Sequence, residues 1–375
     1  MRITANFDAG NINVINLDDK KDIQLAINPD VGNEFFQWFN FRVEGEVGEQ
    51  YILNIINAGE SSYVEGWENY QAVASYDRQH WFRLPTFYKN GKLTIVADME
   101  CETIQIAYFA PYSYERHQDL LSAVQMHPLV SLEHLGETLD QRDLTLVKIG
   151  DGDTSKRNIW ITARQHPGET MAEWLVDGLI HSLLNSDNPT GKLLLDKANF
   201  YIVPNMNPDG SVRGHLRTNA AGINLNREWQ TPSLEKSPEV FHVINKMKAT
   251  GVDLFYDVHG DEALPYVFLS GSEGTPSYNE RLASLHQKFS DVLKLASADF
   301  QSEKGYDIDA PGEGNMTVAT NWVAETFNCL ANTLEMPFKD NANLPDSTMG
   351  WSPERSVKLG EASLIAILSV VDELR

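Results

Sequence analysis

Cysteine is almost absent. Cys101 and Cys329 are the only two in 375 residues, which excludes a disulfide-stapled scaffold. A single bridge between them is possible, but two isolated thiols fit a reducing compartment better. Positive charge is also scarce: 30 Lys and Arg stand against 53 Asp and Glu, a net charge of −23. Such a surface repels phosphate backbones and anionic lipid, so nucleic acid and membrane surfaces are not expected partners. The acidic excess is spread along the chain rather than gathered in a tail, and speaks for solubility alone. Long apolar runs are missing as well. The longest, 362–371, is about half of the roughly 20 residues a membrane-spanning helix needs. The opening MRITANFDAG has no basic segment followed by an apolar core, so no signal peptide is expected. Together these absences predict a soluble cytoplasmic protein. The chain also shows no internal repeat and no low-complexity tract.

What is present is ordinary globular composition, 42% hydrophobic and 22% charged, in a chain long enough for two domains. Its aromatic residues are unevenly placed: 19 of the 37 Phe, Trp and Tyr fall in residues 1–115. Short runs rich in β-branched and aromatic residues lie at 39–43, 51–57 and 104–109. Asn90-Gly91, between two more such runs, suits a type I′ hairpin. Residues 1–113 are therefore expected to form an all-β antiparallel sandwich. From 114 to 375 the pattern changes. Strand-like runs at 144–149, 158–163, 199–203, 254–258 and 332–338 alternate with helical segments. In one of these, at 169–184, Met171, Trp174, Leu175, Gly178, Leu179 and Leu183 make a stripe at helical spacing. Ser352-Pro353-Glu354 reads as the cap and first turn of a final helix. Such alternation predicts an α/β domain with a mixed central sheet flanked by helices.

In open α/β sheets, sites form beyond the carboxyl ends of strands. Here three such ends carry metal-type ligands. His166 and Glu169 follow the run at 158–163, His259 follows 254–258, and Glu335 sits among apolar residues of 332–338. His-x-x-Glu at a strand-to-helix turn puts an imidazole and a carboxylate on one short segment. A third ligand from another strand leaves a fourth position open, the arrangement of catalytic zinc. Taken singly, each has an ordinary structural explanation: a helix-dipole carboxylate for Glu169, a sheet-edge histidine for His259, a buried ion-pair partner for Glu335. Their joint occurrence is what points to chemistry.

HPGE, YDVHG and TLEM occur with the segment NPDGSVRGHLRTNAAGINLNREW. In that segment Asn207-Pro208-Asp209-Gly210, Gly214, Arg217, Gly222, Leu225-Asn226-Arg227 and Trp229 follow the order NPDG–G–R–G–LNR–W. With Pro111-Tyr112-Ser113-Tyr114 at the junction, residues 110–375 resemble the zinc metallocarboxypeptidases, and among them the cytosolic, deglutamylase-like subfamily in its bacterial form. The resemblance implies a carboxypeptidase-like fold and one Zn2+ per chain, held by His166, Glu169 and His259. It implies that Glu335 takes a proton from the attacking water and passes it to the leaving amine. By the same resemblance Arg217 stabilises the oxyanion, while Asn226 and Arg227 hold the terminal carboxylate of a peptide or protein tail.

Three features depart from other members. Gly168 stands where secreted members have an arginine, in keeping with the cytosolic subfamily. Tyr306 is the nearest candidate for the tyrosine that covers substrate, but reads rather as a loop aromatic. Residues 315–333 contain no Lys or Arg and include Glu325, which argues against a preference for C-terminal glutamate. His181, His215 and His286 read as surface or packing residues. The competing enzyme reading is a zinc amidohydrolase of the aspartoacylase and succinylglutamate desuccinylase type, with the same fold and ligands. The NPDG segment and the aromatic-rich N-terminal region favour the peptidase. A catalytically silent binding module is the other competitor, and intact Glu335 and ligands argue against it.

Overall fold

The computed structural model describes residues 1–375. Ten strands come first: β1 (Arg2–Thr4), β2 (Asn13–Asn16), β3 (Ile23–Ala26), β4 (Asn40–Glu44), β5 (Gln50–Ile55), β6 (Val73–Ser75), β7 (Phe82–Arg83), β8 (Thr86–Lys89), β9 (Lys92–Asp98) and β10 (Thr103–Ala107). They form two five-stranded sheets, ordered β1-β4-β10-β6-β7 and β2-β3-β5-β9-β8. In β9 buried and less buried residues alternate, the mark of a strand with one face on a core. Asn90 and Gly91 have φ of +52° and +76° in the two-residue turn between β8 and β9, as the hairpin motif predicts.

One pairing departs from the expected antiparallel order: β3 and β5 run parallel. Between them the chain crosses to the other sheet as β4, and so returns in the same direction. Apolar alternation reports which face of a strand is buried, not which way its neighbour runs.

The remaining chain supplies α1 (Tyr114–Val124), β11 (Val130–Glu137), β12 (Asp143–Ile149), β13 (Arg157–Ala163), α2 (Thr170–Leu184), α3 (Pro189–Lys197), β14 (Ala198–Val203), α4 (Pro208–Arg213), α5 (Pro238–Thr250), β15 (Leu254–Asp261), β16 (Phe268–Ser270), α6 (Glu280–Ala296), α7 (Ala319–Phe327), β17 (Leu330–Pro337) and α8 (Pro353–Val370). Its seven-stranded sheet has the order β11-β12-β14-β13-β15-β17-β16. The central four strands are parallel, while β11, β12 and β16 pair antiparallel at the edges. The sheet is therefore mixed, as expected. No apolar pattern marks β11, which is half-exposed without clean alternation, or the three-residue β16.

α2 packs on α8 at very short range. A Cβ on Gly360 would lie 2.1 Å from the Leu175 carbonyl, and one on Gly178 would lie 2.5 Å from that of Val357. Ser352 caps α8 by accepting from the Arg355 amide, as its sequence signature predicts. A continuous apolar cluster of 71 buried residues runs from Ile3 to Leu374 through both regions. At their junction Tyr108 stacks on Phe338 with ring centroids 4.6 Å apart. β13 has β14 on one side and β15 on the other. That reversal of strand order opens a crevice at the carboxyl ends.

Candidate active site

β13 ends at Ala163, and Arg164 turns the chain with φ of +58°, a left-handed conformation unusual for a side chain of this size. Buried hydrogen bonds hold it there. Its guanidinium donates to the carbonyls of Pro167 (3.0 Å) and Tyr112 (2.8 Å) and to the Glu173 carboxylate (2.7 Å). The turn so anchored carries His166 and Glu169. Glu169 occupies the N-cap of α2, yet its side chain makes no capping bond. Instead its carboxylate oxygens lie 2.6 Å from His166 Nδ1 and 2.9 Å from His259 Nδ1.

His259 comes from β15, two residues after Asp257 and so on the same face of the strand. Its Nε2 lies 2.8 Å from Asp257 Oδ2. Asp257 also accepts from the Thr162 hydroxyl and the Gln165 amide, both at 2.6 Å. Gln165 in turn accepts from the indole of Trp229 at 2.9 Å. At Gly260 a Cβ would meet Met171 Sδ at 2.5 Å, so a side chain there would require the methionine to move.

These contacts orient the two rings. With Nε2 of His259 donating to Asp257, and Nε2 of His166 donating to Asn224 Oδ1 at 3.1 Å, each Nδ1 is left facing Glu169. Against burial, the charges of Asp257 and Glu169 hold the His259 imidazole well above its ordinary range, so a cation binding there would displace a proton from its Nδ1. The two Nδ1 atoms face each other at 3.3 Å and face the Glu169 carboxylate. Three ligand atoms converging in a buried site need a cation, or protons in its place, among them. Tetrahedral zinc with bonds of about 2.0–2.1 Å sets its ligands roughly 3.3 Å apart, close to the observed nitrogen separation. The donor set thus fits a zinc ion. Burial, with the nearby Arg217 charge, also pushes the His166 imidazole down to about 4, which keeps it neutral and able to ligate.

Glu335 lies on β17, in register with His259 on the neighbouring strand. Its Oε2 is buried and has no hydrogen-bond partner. Burial, reinforced by the charges of Glu169, Asp261 and Glu262, holds its carboxyl well above the ordinary range, against the opposing pull of His259. Glu335 and the three ligands share a cavity of about 540 Å3 with Arg217, Asn226 and Arg227. Arg217 and Arg227 come from the chain between α4 and α5. Asn226 Oδ1 accepts from the Ala319 amide at 2.8 Å, which turns its NH2 group outward as a donor. Arg227 is exposed, and its guanidinium donates to the Asn226 carbonyl at 2.6 Å. All seven residues singled out from the sequence therefore meet in one cavity.

Tyr306 corrects an expectation. It is no bystander in a loop: it lines the same cavity, donates to Asp261 Oδ2 at 2.6 Å and packs edge-on against Phe268. The connection before α7 folds back over the sheet edge, and spacing along the chain does not reveal that return. His215 is a packing residue as expected, accepting at Nε2 from the Val31 amide. His286 bonds Asn332, and His181 is exposed beside Asp177. Asp257, Gln165, Tyr63 and Glu262 were not singled out from the sequence. Only Asp257 left a signal there, as an acid two residues before a ligand on one strand.

Residues 117–356 match the zinc carboxypeptidase family. The chain belongs to that family. Residues 3–109 match the cytosolic carboxypeptidase N-terminal domain, so the β region of this carboxypeptidase has its own counterpart in the cytosolic group. A metallo-carboxypeptidase from Burkholderia cenocepacia is 49% identical, with a TM-score of 0.97 over 99% of each chain. One from Pseudomonas aeruginosa, solved with (2-guanidinoethylmercapto)succinic acid, is 46% identical, with a TM-score of 0.97 over 100% of each chain. Cytosolic carboxypeptidase 6 of Mus musculus is 32% identical over 72% of this chain and 54% of its own length. The carboxypeptidase thus spans about half of that relative. Like these neighbours it is a metallocarboxypeptidase-type hydrolase, and the matches give the amidohydrolase alternative no support. No helix is long and apolar enough to cross a membrane.

Proposed function

We propose that the carboxypeptidase uses one zinc ion to remove amino acids from the C-termini of peptides or protein tails in the cytoplasm. The observation that carries this reading is the convergence of His166, Glu169 and His259, all buried, beside the unpartnered Glu335 Oε2, in a cavity that also holds two arginines. Zinc held by His166, Glu169 and His259 would polarise the scissile carbonyl and bring the pKa of a water to about 7. Glu335 accepts the proton of the attacking water and delivers it to the departing amine, a task suited to a carboxyl whose pKa burial has raised. Arg217 donates to the oxyanion that forms as the carbonyl becomes tetrahedral. Asn226 and Arg227 receive the terminal carboxylate through forked, charge-assisted hydrogen bonds. In this reading residues 1–113 are a β-sandwich domain and 114–375 the catalytic domain, with Ser113 capping α1 at the junction.

The lining of the cavity also bears on the terminal residue. Apart from Arg217 and Arg227 the lining has no Lys or Arg, and it includes Asp307, Asp309, Asn315, Val318, Asn321 and Thr333. An acidic terminal side chain would be repelled there, so neutral or basic terminal residues are the proposed substrates. The relative from Pseudomonas aeruginosa was solved with a compound bearing a guanidino group, which is consistent with this preference. The test is zinc-loaded enzyme on peptides that differ only in the last residue. Release of single terminal residues, with glutamate the poorest, supports the proposal. Internal cleavage or fastest release of glutamate contradicts it.

A further inference from the structure

The loop at 30–35 joins β3 to β4 and closes on itself, with the Asp30 amide donating to the Phe35 carbonyl at 2.8 Å. From this loop the Asp30 side chain, 2% exposed, enters the α/β region. Its Oδ1 accepts from the Leu216 amide at 2.7 Å. Its Oδ2 accepts from the Arg217 amide at 2.9 Å, the Thr218 amide at 2.8 Å and the Thr218 hydroxyl at 2.9 Å. No cation is paired with it, so these four donors alone compensate the buried charge. A carboxylate that takes three consecutive backbone amides fixes the peptide planes on both sides of Arg217.

The guanidinium of Arg217 is held from the same side of the molecule. Its Cζ lies 5.6 Å from the ring centroid of Phe35 and 5.6 Å from that of Tyr63, both residues of the β region. The side chain makes no hydrogen bond or ion pair within the chain, so the rings steer it while its N–H groups stay available. The segment also touches the metal turn, because the Leu216 carbonyl accepts from the Gly168 amide at 2.8 Å. Gly168 stands directly before Glu169, and a Cβ there would come within 3.0 Å of that carbonyl.

We infer that Asp30 is a positioning residue for the hydrolytic reaction: it fixes the backbone of Arg217 while Phe35 and Tyr63 aim its guanidinium. The β region thereby becomes part of the active site. This inference rests on the reading of Arg217 as the group that stabilises the oxyanion.

The test is a double-mutant cycle on zinc-loaded full-length enzyme, with zinc content, KM and kcat measured for Asp30→Asn, Arg217→Met and the pair. Asp30→Asn keeps the size of the side chain but replaces an acceptor oxygen by an NH2 group that must face an amide. The expected result is full zinc, KM within ~3-fold, and kcat lowered by ~10-fold or more, because the group lost acts in the transition state. In the Arg217→Met background the same change should cost less than ~2-fold, since nothing remains to position. Equal losses in both backgrounds would overturn the inference, as would loss of zinc in Asp30→Asn. An Arg217→Met enzyme with normal kcat would instead overturn the oxyanion reading itself, and the inference with it. Should Asp30→Asn fail to fold, Phe35→Leu replaces it in the cycle. Phe35→Leu removes the ring beside the guanidinium while leaving the Phe35 carbonyl to accept from the Asp30 amide, and the same non-additivity is required of it.

Discussion

His259 Nε2 lies 2.8 Å from the buried carboxylate of Asp257, which fixes the ring so that Nδ1 faces Glu169 and His166. A carboxylate behind a ligating imidazole orients the ring and raises its basicity. Zinc should therefore bind at one per chain, and His166→Ala or His259→Ala should abolish it. Asp257→Asn should retain the site with ~10–100-fold weaker zinc affinity, the usual effect of losing such a partner. Competition with a chelator checks this, and unchanged affinity in Asp257→Asn would show that the contact is incidental.

Glu335 is proposed as the proton carrier because its Oε2 is buried and unpartnered beside the ligand on the next strand. Glu335→Gln preserves shape but removes the basic oxygen. Zinc content should be unchanged while kcat falls by at least ~100-fold. Turnover within a few-fold of the unmodified enzyme would take Glu335 out of the mechanism.

Tyr306 and Asp261 join the cavity wall through one hydrogen bond. Tyr306→Phe removes only the hydroxyl, so the wall should loosen while the reacting groups stay in place. KM should rise by ~2–10-fold with kcat within about 2-fold, the signature of lost uniform binding. A large fall in kcat with KM unchanged would give the hydroxyl a chemical role instead.

The ligands and Glu335 were legible because each lies at the carboxyl end of a strand whose apolar run is plain in the sequence. The LNR and NPDG segments were legible as a motif, not as geometry. Asp30 was not legible, since its partners lie 186–188 residues away and a lone acid in a loop carries no local pattern. Tyr306 is a related case: its place depends on how a long connection folds back. The parallel β3–β5 pair and the short β16 were invisible because strand direction and edge pairing are set by contacts distant in sequence. Burial makes the core readable, whereas the polar contacts that build the site are long-range.

Away from the cavity, Glu239 gives a test of stability. It is fully buried in the first turn of α5, and burial pushes its carboxyl up to about 8, against a hydrogen bond from Asn219. An unfolded glutamate titrates near 4.3, so between about 4.3 and about 8 the folded chain keeps a proton that the unfolded chain has released. The stability this contributes is present at low pH and is lost as pH rises through the folded value. Glu239→Gln has no such loss. Its advantage in unfolding free energy should be small at pH 5 and grow toward pH 8.5, by up to ~4 kcal/mol. Denaturant unfolding across that range checks it, and a constant difference would mean that Glu239 is ionised throughout.

The most direct test of the exopeptidase account compares a peptide with its C-terminally amidated form. Amidation removes a charge and an acceptor that Arg227 and Asn226 are proposed to bind, and charge-assisted bonds of this kind contribute roughly 1.5–3 kcal/mol each. The account predicts that amidation lowers kcat/KM by at least ~10-fold, and that Arg227→Met lowers activity on the free acid and narrows the gap between the two substrates. Equal cleavage of both forms by the unmodified enzyme would contradict it, whatever the metal content.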